Sequence, residues 1–179
     1  YEKGRGYRIS EPYHRSACDV YRRNYGECFC PDGEELSTGG YEPGDGICLT
    51  DCALVVDASN VIVRYLRVRV GDKFSTDTDG IGGGRYGQKN VILDHLSVTW
   101  SIDECLSIYK TENLTGQWCL VAHSLTRSKH TKGSHGFGGI WGGLKATFHH
   151  NLLANHSSRN PRFSSVEGTK SVDHRNNVI

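Results

Sequence analysis

The 179-residue sequence contains no methionine and only 4 prolines, and its 21 basic and 20 acidic residues leave a formal charge of +1. A chain that opens on the polar run Tyr1-Glu2-Lys3, with no starting Met and no apolar leader, reads as a processed, trimmed or partial product. The near-zero charge provides no global field for a polyanion, so neither nucleic acid nor a membrane surface is expected as a partner. No stretch approaches the ~18–20 apolar residues of a membrane-crossing helix. Alanine and leucine do not recur at helical spacing either, which leaves short strands and turns as the building material. The Walker and dinucleotide-binding glycine patterns are missing, and so is the G-x-S-x-G elbow of a serine hydrolase.

What the chain does have is 22 glycines, 7 cysteines and a recurring strand. Cys18, Cys28, Cys30, Cys48, Cys52, Cys105 and Cys119 favour an oxidising compartment, with one left over by the odd count. The one-residue gap in Cys28-Phe29-Cys30 argues against a zinc knuckle there. Residues 1–42 lack hydrophobic periodicity and read as an irregular, cysteine-containing segment. From residue 43 onward, short apolar strands follow one another: Asn60-Val-Ile-Val-Arg-Tyr-Leu-Arg-Val68, Asn90-Val-Ile-Leu-Asp-His-Leu-Ser-Val98, Asn113-Leu-Thr-Gly-Gln-Trp-Cys-Leu-Val121 and Lys145-Ala-Thr-Phe-His-His-Asn-Leu-Leu153. A looser copy, Ser171-Val-Asp-His-Arg-Asn-Asn-Val-Ile179, ends the sequence in mid-strand, so a longer protein truncated at its C-terminus is expected. One strand every twenty to thirty residues (starts at 60, 90, 113, 145 and 171) is too sparse for a sandwich, whose strands return every ~8–12 residues. It fits a solenoid: an all-β, right-handed, single-stranded parallel β-helix of about five coils over residues 43–179, with Leu66, Leu96 and Cys119 in one interior column.

Four clusters carry the chemistry. Asp77-Thr-Asp79-Gly80 offers two carboxylates at alternate positions, which share a face in extended chain and suit a hard cation. Without the downstream ligand series and closing Glu, it is no EF-hand. Asp103-Glu104 lies one coil later and stands beside the first pair in a stacked solenoid. His130-Thr-Lys132 runs into Gly133-Ser-His135-Gly-Phe-Gly-Gly-Ile-Trp-Gly-Gly143, and His156-Ser-Ser-Arg159-Asn-Pro-Arg162-Phe163 follows. These place Lys132, Arg159 and Arg162 on successive coils, a basic groove beside an acidic site, which is a receptor for a polymer of carboxylates. The adjacent His149 and His150 are expected on opposite faces of a strand, unable to act together.

With these residues in view, the chain resembles polysaccharide lyase family one, the pectate lyases. It is most similar to bacterial members, through Trp100-Ser-Ile-Asp-Glu-Cys105, Gln117-Trp-Cys119, Lys132-Gly-Ser-His-Gly-Phe-Gly-Gly-Ile-Trp-Gly-Gly143 and His149-His-Asn151. The resemblance implies a parallel β-helix that is secreted to an extracellular or periplasmic space, calcium as cofactor, and polygalacturonate or a related acidic polysaccharide as substrate; a monomer is expected. It also implies that Arg159, in an R-x-P motif, is the catalytic base and that Lys132 binds the substrate carboxylate, with Arg162, His130 and His135 as substrate-binding neighbours. Asp77 and Asp79 match two calcium-binding aspartates, and Asp103 or Glu104 an acidic ligand from the next coil. Two positions depart from the family pattern: Ser164 stands where a second arginine is expected, and Ser107 where a further acid is.

The implied reaction is a β-elimination. Calcium and Lys132 on the substrate carboxylate would acidify the C5 proton, Arg159 would take it, and the C4 oxygen would leave. An arginine has an ordinary pKa above ~12, so alkaline optima are expected. The departures at Ser107 and Ser164 give a second reading from another class, a catalytically inactive β-helix that binds acidic polysaccharide.

Overall fold

A computed structural model describes residues 7–9, 47–73, 77–83, 87–165 and 170–179. Cys18, Cys28, Cys30 and the expected boundary between residues 42 and 43 lie outside the described residues. Sixteen strands and no α-helix occur among those described. After β1 (Tyr7–Ile9), five coils of three strands follow. The first is β2 (Ile47–Thr50), β3 (Leu54–Val56) and β4 (Val61–Arg64), and the second β5 (Leu66–Arg69), β6 (Ile81–Gly83) and β7 (Lys89–Asp94). The third is β8 (Ser97–Thr99), β9 (Leu106–Ile108) and β10 (Glu112–Gln117), and the fourth β11 (Leu120–Ala122), β12 (Ile140–Trp141) and β13 (Leu144–His149). The fifth is β14 (Leu152–Ala154), β15 (Arg162–Phe163) and β16 (Val172–Arg175).

Each strand bonds in parallel only to its counterpart one coil away. Three sheets result, ordered β1-β3-β6-β9-β12-β15, β4-β7-β10-β13-β16 and β2-β5-β8-β11-β14. The chain is thus the right-handed parallel β-helix expected from the repeat, the hand that parallel crossovers almost always take. Strand β1, from the N-terminal segment, adds to the first sheet by pairing Tyr7 with Leu54 and Ile9 with Val56.

The repeat that reads as a single nine-residue strand is two strands joined by a one-residue corner. Tyr65, His95, Trp118, His150 and Asn176 all have φ between 51 and 57°, the left-handed region, which turns the chain from the second sheet into the third. The four rings meet outside the coil: Tyr65 is tilted against His95 at 5.2 Å, His95 stacks on Trp118 at 6.1 Å, and Trp118 stacks on His150 at 4.4 Å. The asparagines that open the repeats occupy a second left-handed corner at Asn60, Asn90 and Asn113. Asparagine tolerates that conformation better than most residues. Side-chain hydrogen bonds then run up the corner, from Asn90 to Asn60 (2.7 Å) and from Asn113 to Asn90 (3.0 Å).

This corner overturns one sequence expectation. Because His150 has φ of 55° and is not extended, His149 and His150 do not diverge; their Nδ1 atoms lie 2.7 Å apart.

Inside, alternate residues of each strand stack in register. Leu96 and Cys119 are buried in the column predicted for them, with Leu66 partly buried against it. Asn151 continues the column: its Oδ1 accepts the Cys119 N–H at 2.9 Å, and its Nδ2 donates to Asn177 Oδ1 at 3.0 Å. Burial pushes the Cys119 thiol up to about 12 and the Cys105 thiol up to about 11, so both are inert core groups.

Gly116 faces Phe148 in register, and a Cβ there would meet the Phe148 ring at 2.8 Å. The ring in turn stacks on Trp141 at 4.4 Å and 11°, both fully buried. Phe148→Ala removes a large buried ring that close neighbours cannot replace. It should cost about 3–5 kcal/mol of stability in chemical denaturation.

Candidate active site

The turns leading into the first sheet carry the site. Tight backbone contact fixes them. A Cβ on Gly139 would lie 1.9 Å from the Leu106 carbonyl oxygen, and one on Gly138 would lie 2.4 Å from that of Arg159. Only glycine lets three successive coils approach this closely. The segments before β6, β9, β12 and β15 are therefore pinned side by side, and isolated bridges align Glu104 with Phe137 and Phe137 with Ser158.

On this frame, one carboxylate oxygen from each of Asp79, Asp103 and Glu104 falls within 4.8 Å of the others. Asp79 Oδ1 also accepts the backbone N–H of Glu104 at 3.1 Å, tying the two coils together. Glu104 is 4% exposed, and its carboxylate forms an ion pair with Nη1 of Arg159. The Arg159 guanidinium lies 4.0 Å from the centroid of the Phe137 ring, a cation–π contact that supports it across the intervening coil. Arg159 takes φ of 58°, which directs its side chain back over that ring.

Asp77 is separate from the acid trio. Its φ of 55° breaks the alternation that would have put it on the same face as Asp79. Its carboxylate instead accepts the Thr131 N–H at 2.8 Å and the Thr131 hydroxyl at 2.5 Å. These bonds, the hydroxyl's first, hold the Asp77 carboxyl below its ordinary range. They also anchor the loop bearing His130, Lys132 and His135.

Within that loop, the His130 side chain is fully enclosed, with Nδ1 3.2 Å from Asp77 and Nε2 3.4 Å from Asp103. The His135 ring stacks on it at 3.5 Å. Lys132 is exposed just beyond, and its backbone N–H donates to His130 Nδ1 at 3.1 Å. Arg162 is exposed on β15, in the same coil as Arg159 and paired with Ile140 of the coil before. Lys132 and Arg159 are on successive coils as expected; Arg162 is not one coil further.

Phe137 under Arg159 and Thr131 on Asp77 are parts that the sequence did not single out. So is the Ser124–His156 pair (2.7 Å), where the His156 Nε2–H donates to the Val121 carbonyl (2.9 Å) ahead of Arg159. Burial lowers the His156 pKa, so the ring is neutral and structural. Ser107 also supports backbone, accepting the Ile140 N–H at 3.1 Å. The three carboxylates converge without an acid at that position.

Among known proteins, the chain is 34% identical over 146 residues to the protein named probable pectate lyase C of Emericella nidulans. It is 34% identical over 148 residues to that of Aspergillus flavus, and 32% over 146 residues to that of Aspergillus fumigatus. The relatives are pectate lyases by name. In each case the match takes in 79% of this chain and 31% of the relative, so the chain spans about a third of the length of the pectate lyases it matches. No family model matches.

Replacing Thr131 with alanine deletes the hydroxyl bond to Asp77. The Asp77 carboxyl should then rise toward its ordinary value, as followed by side-chain carboxyl NMR through an acid titration. An unchanged midpoint contradicts the anchoring assigned to Thr131.

Proposed function

We propose that residues 43–179 form the β-helix domain of a secreted, bacterial-type pectate lyase of polysaccharide lyase family one, which cleaves polygalacturonate by calcium-assisted β-elimination with Arg159 as base. The observation that carries this reading is the placing of Arg159 directly against the acid trio, through Glu104, in a chain similar to proteins named pectate lyase.

The residues present fit calcium. Asp79, Asp103 and Glu104 offer only hard oxygen donors from two adjacent coils. Asp103 Oδ1 is buried and makes no hydrogen bond to any described residue, as expected of an atom reserved for a cation. Bound there, calcium supplies positive charge next to the substrate carboxylate, which favours loss of the neighbouring C5 proton.

The chain's own residues do the rest. Lys132, exposed on the anchored loop, meets the polymer's carboxylates, and exposed Arg162 extends that positive surface on the first sheet. Asp77 and the enclosed His130 hold the Lys132 loop in place. Arg159 takes the C5 proton, and the pair of electrons from that bond forms the C4–C5 double bond as the C4 oxygen leaves. While the guanidinium is ion-paired with Glu104 it is turned to that carboxylate and not to a substrate, so the pair must part before elimination. Glu104 therefore links the acid trio to the base. The Phe137 ring keeps the guanidinium in position when it is released.

The test is ultraviolet absorbance of the unsaturated uronate during incubation with polygalacturonate at alkaline pH, first with calcium and then with chelator. A calcium-dependent rise is expected, lost by at least a hundredfold in Arg159→Ala and not restored by Arg159→Lys. Polymer binding without product, from a folded sample, would instead identify an inactive β-helix that binds acidic polysaccharide.

A further inference from the structure

The family resemblance sets His130 among the residues that bind substrate, yet its side chain is 0% exposed. The His135 ring lies flat against it, with centroids 3.5 Å apart and planes 11° from parallel. A polymer does not reach that ring, so its use is read from what its two nitrogens face. Nδ1 accepts the backbone N–H of Lys132 at 3.1 Å. A nitrogen that accepts carries no proton, which leaves the ring proton on Nε2. Asp77 Oδ1, 3.2 Å from Nδ1, does not call that proton back, because it already accepts the Thr131 N–H at 2.8 Å.

The Nε2 side of the ring faces Asp103. Nε2 lies 3.4 Å from Asp103 Oδ2, just beyond the ~2.7–3.2 Å of a good N–H···O bond. It is sealed from solvent and has no hydrogen-bond partner among the described residues, so a small closing movement toward Oδ2 supplies the bond it lacks. His135 does not compete for Asp103: its Nε2 is 4.0 Å from Oδ1, out of hydrogen-bond range. Asp103 Oδ1 is also sealed and without a hydrogen bond. One carboxylate thus turns Oδ2 to His130 and keeps Oδ1 for the cation proposed at the acid trio.

We infer that His130 is a positioning residue that joins the cation site to the substrate-binding loop: its Nε2–H orients Asp103, and its Nδ1 holds the backbone of Lys132. The inference rests on the calcium site proposed at the acid trio and deepens it. Carboxylates that bind a metal are themselves held by hydrogen bonds, and loss of such an outer partner weakens metal binding by about 10–100-fold. Here that partner has a second task. A single rigid ring carries both bonds, so calcium that fixes Asp103 also fixes the Lys132 backbone, and a settled Lys132 in turn favours calcium. His130 touches neither the ion nor the polymer, yet it makes one connected unit of the groups that receive them.

Two measurements on the whole chain, neither of them activity, test this. Nitrogen-15 NMR of the imidazoles without calcium should show His130 with its proton on Nε2; a proton on Nδ1 overturns the assignment and needs no variant. Calcium is then titrated calorimetrically, without substrate, into the unaltered chain and into His130→Phe, whose ring can still stack on His135 but offers no nitrogen. Circular dichroism checks that the variant is folded. Calcium affinity should fall at least tenfold in the variant. Calcium should also slow exchange of the Lys132 amide hydrogen in the unaltered chain and leave it unchanged in the variant. Equal calcium affinity in folded His130→Phe sinks the inference alone, whereas no calcium uptake by the unaltered chain sinks the calcium reading and the inference with it.

Discussion

Arg159 reaches back over an entire coil to meet Glu104, with the Phe137 ring beneath its guanidinium. That contact exists only because three coils are locked in one register, with Glu104, Phe137 and Ser158 bridged in line. Register in a parallel solenoid is collective. Each strand is bonded to the coils before and after it, so a slip at one coil would move every side chain beyond it to the opposite face. Gly138 and Gly139 allow the close approach that sets the register here. The left-handed corners at Tyr65, His95, Trp118, His150 and Asn176 repeat it on the far side. The proposed catalytic constellation, assembled from loops, is thus held by the most regular part of the molecule.

Much of the fold was legible because its cause is local and repeated. Asparagine opens three of the repeats since it tolerates the left-handed corner and bonds to its neighbour above, and the eye can pick out such a period. The one-residue corners were not legible. Nothing about Tyr65 or Trp118 announces a positive φ, and an apolar run on both sides of a corner looks like one strand. The first sheet was hidden for a different reason: strands as short as Ile81–Gly83 and Ile140–Trp141 show no alternation, and packing between coils rather than propensity holds them.

The site shows the same division. The acidic pairs and the basic clusters stood out by composition, and their stacking followed from the repeat. Which aspartate joined which group did not, since Asp77 and Asp79 are separated by a backbone angle and not by sequence. The same angle effect brought His149 and His150 together. Phe137 was invisible as a support because an aromatic within a glycine-rich run signals only ordered packing. Asp103 is the residue on which two groups meet: the carboxylates of Asp79 and Glu104 on one side, the stacked rings of His130 and His135 on the other. One carboxylate facing both ways constrains how much charge the region can hold at once.

In the proposed mechanism Glu104 belongs both to the acid trio and to the pair with the base, Arg159. The direct measurement is the calcium dependence of unsaturated-product formation by the unaltered chain and by Glu104→Gln, an amide of the same shape. If Glu104 serves both groups, the variant should need at least tenfold more calcium and should also turn over more slowly at saturating calcium. An unchanged calcium requirement, whatever happens to the rate, would contradict it and leave Glu104 as a partner of Arg159 alone.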